Sequence, residues 1–207
     1  MDLNKLLLGV AGSAVLLLAG ATTAQRALAA DDNEQARTLA FTCMGCHGIE
    51  GYHNAYPSYP VPRLGGQRAA YIEAALRAYR SGSRPHATMR AQGSSLSDAD
   101  IALLASYFES LGAARDQLDA AAVAGVDGAA ICVTCHGAAG AEVEPQPPTL
   151  SGQQADYLVH ALQQYRDGSR GGTIMSAFAG ALSDADMRRL ASFYAAQDGL
   201  HTPAGSK

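Results

Sequence analysis

The pentapeptide Cys-x-x-Cys-His occurs twice, as Cys43-Met44-Gly45-Cys46-His47 and as Cys132-Val133-Thr134-Cys135-His136, and the two copies use all four cysteines of the 207-residue chain. The repetition extends well beyond the cysteines. From Pro62 the sequence lies on itself at an offset of 86 without a gap, and 23 of 51 positions are identical between residues 62–112 and 148–198. A period this long marks a duplicated domain rather than a solenoid. The two pentapeptides stand at an offset of 89, so the first copy carries three extra residues before Pro62. The expected division is 30–113 for the first domain and 114–207 for the second.

Each copy reads as helical. Residues 33–42 form a short helix running into the first pentapeptide. Gln67 to Arg80 places Tyr71, Ala74, Ala75, Ala78 and Tyr79 on one face and stops at Gly82. Ser97-Asp98-Ala99-Asp100 has the spacing of a capping box, repeated at Ser183 to Asp186. Behind the first box, Ile101, Leu104, Ala105, Phe108 and Leu111 form a buried stripe. The prolines of "NAYPSYPVP" and "EVEPQPP" hold the preceding loops extended. No stretch alternates as a half-buried strand does, so the fold class is all-α.

Aromatic residues make up only 6% of the chain and tryptophan is absent. Two small domains built this way have thin cores and call for something besides aliphatic packing. Three chemistries use a CxxC pair. A zinc site joins pairs some 15–20 residues apart, whereas these pairs belong to different copies. A redox disulfide accompanies a βαβ pattern that is missing here. Neither employs the histidine. Covalent c-type haem attachment employs all three residues: the thiols bond the vinyl groups, and His47 or His136 is an axial ligand of the iron. The reading is therefore two covalently bound haem c groups, on Cys43/Cys46 and on Cys132/Cys135.

A second axial ligand must come from another part of each copy. Among five methionines, only Met89 and Met175 share a register, each nine residues before the first Asp of "LSDAD" in what reads as an interhelical loop. Met44 lies inside the attachment loop, and Met187 belongs to the core of the last helix. His86 stands opposite Gly172, His160 reads as a surface or interface residue, and His53 and His201 have no counterparts. With both axial positions filled, such a haem passes single electrons and offers substrate no open site.

The first thirty residues have a different character. Lys5 precedes a 19-residue apolar run, Leu6 to Ala24, and Ala27-x-Ala29 offers a cleavage site. Residues 1–29 read as a secretory signal peptide, with an uncleaved anchor as the alternative. No cysteine follows "LLAGA", which excludes a lipoprotein anchor. The expected location is the periplasm. A pI near 5.8 with no basic stripe excludes nucleic acid as a partner. Charge divides unevenly, with eight basic and eight acidic residues over 30–115 but five and ten over 116–207. That asymmetry would steer the second copy toward a basic partner surface.

With its paired CxxCH motifs, distal methionines, "LSDAD" helices and the repeated "LxGQ…Y…YRxGxR" pattern, the sequence resembles class I cytochromes c in tandem, as in the dihaem cytochrome c4 family. The resemblance covers the whole chain after the leader. It implies two cytochrome c domains related by a pseudo-twofold axis, with haem propionates turned toward their interface. It implies that the carbonyls of Pro62 and Pro148 accept the proximal imidazole N–H. It also implies that Gln67, Gln153, Tyr71, Tyr157, Arg84 and Arg170 lie at propionates or ring edges, the arginines having solvated loop charges as their alternative. The role implied is a periplasmic carrier, not an enzyme, between a quinol-oxidising complex as donor and a terminal oxidase as acceptor, with peripheral membrane association possible. A cytochrome subunit of a periplasmic dehydrogenase, such as a flavoprotein sulfide dehydrogenase, is the alternative. A dihaem enzyme such as a thiosulfate dehydrogenase is a more distant one.

Overall fold

The computed structural model describes residues 32–112, 118, 120–137, 146–171 and 174–204. The expected leader, 1–29, lies outside them, as does most of the join between the copies. The chain divides into a unit of residues 1–38, described and helical over 32–38, and a compact unit of residues 39–207 that holds both copies.

In the larger unit, helix α1 covers residues 39–47 and includes the first pentapeptide. The hairpin β1 (His53–Ala55) and β2 (Ser58–Pro60) follows. Helices α2 (Ala69–Ser81), α3 (Ala87–Gly93) and α4 (Asp98–Ser110) complete the first copy. The second copy contains α5 (Ala120–Ala124), α6 (Ala129–His136), α7 (Ala155–Arg166), α8 (Ile174–Gly180) and α9 (Asp184–Ala195). The all-α expectation holds, with one small addition. The hairpin occupies the segment carrying the three-residue insertion, and its strands are too short to show alternation.

Both capping boxes are formed. Ser97 and Ser183 accept from the N–H groups of Asp100 and Asp186, whose carboxylates accept from the serine N–H in return. Behind the first box the expected stripe is buried at Ile101, Leu104, Ala105 and Phe108, with Leu111 half-buried at the C-cap, and α9 buries Met187, Leu190, Ala191 and Tyr194. On α2, Tyr79 of the expected face is buried, but the rest of that face is not. Ile72 and Leu76 pack into the core with α4, while Tyr71 points toward the second copy. The alanine stripe predicted from spacing is too small to bury much area, so the larger aliphatic side chains decide the orientation.

The two copies meet along equivalent residues. Gln67 in the first copy bonds main chain at Thr149, and Gln153 in the second bonds main chain at Arg63. Arg84 reaches Tyr157, and Arg170 reaches Tyr71. In each pair the partners are exchanged by the offset of 86, as an isologous interface requires. The segment after α9 crosses back to the first copy. Leu200 N–H donates to Ser151, and His201 forms a two-way main-chain bridge with Gly65. Leu200 and Pro203 are buried there.

Candidate haem sites

Each pentapeptide lies on a helix that ends at or near its histidine. Cys43 and Cys46, like Cys132 and Cys135, are three residues apart and so share a helix face. The four sulfurs are unpaired and half-buried, and burial pushes the Cys43 and Cys132 thiols up. His47 and His136 are 8% and 9% exposed. Each donates its Nδ1–H to a proline carbonyl, His47 to Pro62 and His136 to Pro148, both at 2.8 Å. This fixes the tautomer and leaves Nε2 with a free lone pair. Burial pushes both imidazoles below their ordinary pKa, so they stay neutral, as a metal ligand requires.

At the interface the chain carries two buried cations. Gly82 (φ 83°) and Gly168 (φ 78°) occupy equivalent positions where α2 and α7 end. Left-handed glycines reverse the chain there. Arg84 N–H then bonds the Ala78 carbonyl and Arg170 N–H the Gln164 carbonyl, so both side chains lie along the interface. The guanidinium of Arg84 stacks over Tyr79 at 4.5 Å and that of Arg170 over Tyr165 at 4.6 Å. Arg84 donates to Tyr157 Oη at 2.7 Å and more distantly to Tyr71 Oη, and Arg170 donates to Tyr71 Oη at 2.8 Å. Both arginines are 8% exposed, which removes the solvated-loop alternative. Burial alone would raise the Tyr71 phenol, but the two guanidinium charges bring it down to about 7. Among the described residues neither guanidinium is paired with a carboxylate. Two buried cations facing phenols form a setting that takes an anion.

Met89 and Met175 lie at equivalent places, in the first turns of α3 and α8, and are partly buried. The segment expected as a loop is a single short helix. His86, without an assigned role in the sequence, caps α3: its Nδ1 accepts the Met89 N–H at 3.2 Å. His160 stacks on Tyr59 of the hairpin, centroids 4.4 Å apart, and so is an interface residue as expected. Gln67 and Gln153 bind main chain of the opposite copy with their amides. Sequence reasoning missed Arg68, which donates to the carbonyls of Pro147 and Gly137 at 2.8 Å each. It has no arginine counterpart, since Gln154 stands in the equivalent place. Reading the repeat for differences as well as identities would have singled it out.

Several features fit haem c: paired thiols on one helix face, an imidazole with Nε2 free, and buried guanidinium groups without carboxylates. The fold and these sites define a c-type cytochrome with two domains, each helical and each with its own CxxCH. Comparison with known proteins agrees. Family models for "Cytochrome c" and for "Cytochrome C oxidase, cbb3-type, subunit III" match residues 122–195 and 30–108. Cytochrome c4 of Pseudomonas aeruginosa is 33% identical, over 96% of this chain and 100% of that protein. A thiosulfate dehydrogenase electron acceptor of Stutzerimonas stutzeri is 32% identical, over 90% of this chain and 93% of that one. The crystal structure of reduced cytochrome c4 from Pseudomonas stutzeri superposes with a TM-score of 0.60 at 29% identity, covering 81% of this chain and 98% of that one. The chain belongs to the dihaem cytochrome c4 family. It is an electron-transfer cytochrome with two covalently bound haem c groups.

Proposed function

We propose that the protein is a periplasmic carrier that takes single electrons from a quinol-oxidising complex and delivers them to a terminal oxidase. In this reading residues 1–29 are a leader, and the domains span 30–113 and 114–207. His47 and Met89 would hold the iron of one haem, and His136 and Met175 that of the other. The observation that carries the reading is the shared register of Met89 and Met175, each in the first turn of an equivalent helix; a sulfur from each would fill the remaining position on its iron and leave outer-sphere electron transfer. The bound haem supplies a one-electron Fe(III)/Fe(II) couple. The chain's own residues do the rest. Pro62 and Pro148 orient the imidazoles, the cores exclude water, and Arg84 and Arg170 with Tyr71 and Tyr157 would hold propionate charge at the interface. Among the described residues no helix is long and apolar enough to cross a membrane.

The test mixes reduced holoprotein with washed membranes of its own organism and follows the haem band with and without cyanide. Fast, cyanide-sensitive oxidation of both haems is expected. Slow or cyanide-indifferent oxidation would overturn the oxidase step. A second reading has support in the likeness to proteins named as thiosulfate dehydrogenase electron acceptors. The donor would then be a dehydrogenase that oxidises an inorganic sulfur compound. Reduction of this cytochrome by thiosulfate, only when such a dehydrogenase is added, would select that reading.

A further inference from the structure

The peptide group joining Pro62 to Arg63 is used at both ends. Its carbonyl accepts the His47 Nδ1–H at 2.8 Å, and its N–H donates to Gln153 Oε1 at 2.8 Å. The peptide joining Pro148 to Thr149 repeats this arrangement, with His136 at 2.8 Å on the carbonyl and Gln67 Oε1 at 2.9 Å on the N–H. In both cases the glutamine comes from the opposite domain. Each glutamine also donates its amide N–H back to the carbonyl of the same residue, Thr149 or Arg63, at 3.0 Å. This two-point grip fixes it against one peptide, and the two glutamines are only 3% and 4% exposed.

Hydrogen bonds in series reinforce one another. A peptide whose N–H is engaged carries more negative charge on its carbonyl oxygen and accepts more strongly. A stronger acceptor on Nδ1–H makes the imidazole a more basic ligand, and a more basic ligand favours ferric iron. We propose that Gln67 and Gln153 are positioning residues that act crosswise: Gln67 sets the reduction potential of the haem on Cys132/Cys135, and Gln153 that of the haem on Cys43/Cys46. This rests on His47 and His136 as axial ligands. Each domain then holds one determinant of the other's potential, and loosening the interface raises both.

The experiment is a redox titration of the full dihaem protein by NMR, with the shifted ring signals of the two axial histidines assigned to their haems. Gln67→Met removes the acceptor and keeps the bulk. At a poise fixed at the wild-type midpoint, it is expected to raise the reduced-to-oxidised ratio of the Cys132/Cys135 haem several-fold and leave the other unmoved. Gln153→Met is expected to do the reverse. Should either variant fail to fold, Gln67→Glu retains an acceptor for the Thr149 N–H and is expected to lower the potential of the Cys132/Cys135 haem more than that of its neighbour. A shift confined to the glutamine's own domain, an equal shift in both haems, or none in a folded variant would overturn the proposal. Absence of the His47 and His136 ring signals from the wild-type spectrum would instead overturn the ligand assignment beneath it.

Discussion

In the first domain Pro62 is followed by Arg63, and in the second Pro148 is followed by Thr149, yet the peptide between each pair makes the same two bonds. Around that shared centre the domains diverge. Arg63 also reaches the Gly152 carbonyl, and Arg68 reaches Pro147 and Gly137, whereas Thr149 and Gln154 stand at the equivalent places of the second domain. The second domain contributes the chain after α9 instead, which bridges Gly65 and places His201 against Gly65 and Gly112. Among the described residues a hairpin occurs in the first domain, where its Tyr59 stacks on His160 of α7. The difference shows which parts of a duplicated interface can drift. Bonds to main chain survive a change of side chain, so the peptide centre has stayed symmetric while the periphery became an exchange of unlike arms.

The comparison breaks most completely if one domain loses its haem. Cys43→Ser with Cys46→Ser is expected to leave one covalent haem, and Cys132→Ser with Cys135→Ser the other; mass spectrometry of the purified chain counts them. Glycines come next. Gly66 and Gly152 are equivalent and both left-handed, at φ 83° and 76°. A Cβ on Gly66 meets Gly112 main chain at 3.5 Å, an ordinary contact, whereas on Gly152 it meets Leu200 O at 2.5 Å and N at 2.7 Å. Gly66→Ala should therefore cost about 1–2 kcal/mol in strain. Gly152→Ala should cost about 1–3 kcal/mol beyond that, from overpacking against the returning chain. Denaturant midpoints of the two variants compare them directly.

Smaller effects sharpen the contrast. Arg84 bonds two phenols and Arg170 one. Removing a buried charged donor costs about 1.5–3 kcal/mol per bond lost, so Arg84→Leu should lower the melting temperature more than Arg170→Leu. The caps should show no difference between domains. Ser97→Ala and Ser183→Ala are each expected to cost about 1 kcal/mol. Hydrogen bonds from Ser97 and Ser183 hold the Asp100 and Asp186 carboxyls below the usual range. A group with its folded pKa lowered stabilises the fold above its unfolded pKa and loses that contribution as pH falls through the folded one. Acid titration should therefore weaken both caps together, and the serine variants should show a flatter acid limb.

Much of this was legible in the sequence because it is local. Cysteine and histidine spacing, the serine and aspartate of a capping box, and the apolar stripes of α4 and α9 all act within one or two helical turns. The repeat doubled each signal, which is how Met89 and Met175 stood out from Met187. What could not be read depends on distant main chain. Nothing near Gly65 announces that His201 will pair with it, since a bridge between backbones leaves no mark on side-chain pattern. Gln67 and Gln153 were conspicuous as repeated residues, but their partners are peptide groups, which every residue has. Arg68 escaped because its partners are carbonyls of the opposite domain. The α2 face was misjudged because alanine periodicity was weighed equally with the larger Ile72 and Leu76.

The bridge between Gly65 and His201 also imposes an order of events. His201 follows every described helix of the second domain, yet it pairs with an edge of the first. During synthesis, that edge stays bare until the described helices of the second domain have been made. The first domain's surface is thus completed by a piece made after α9 of the second, and a chain interrupted before that point leaves it open.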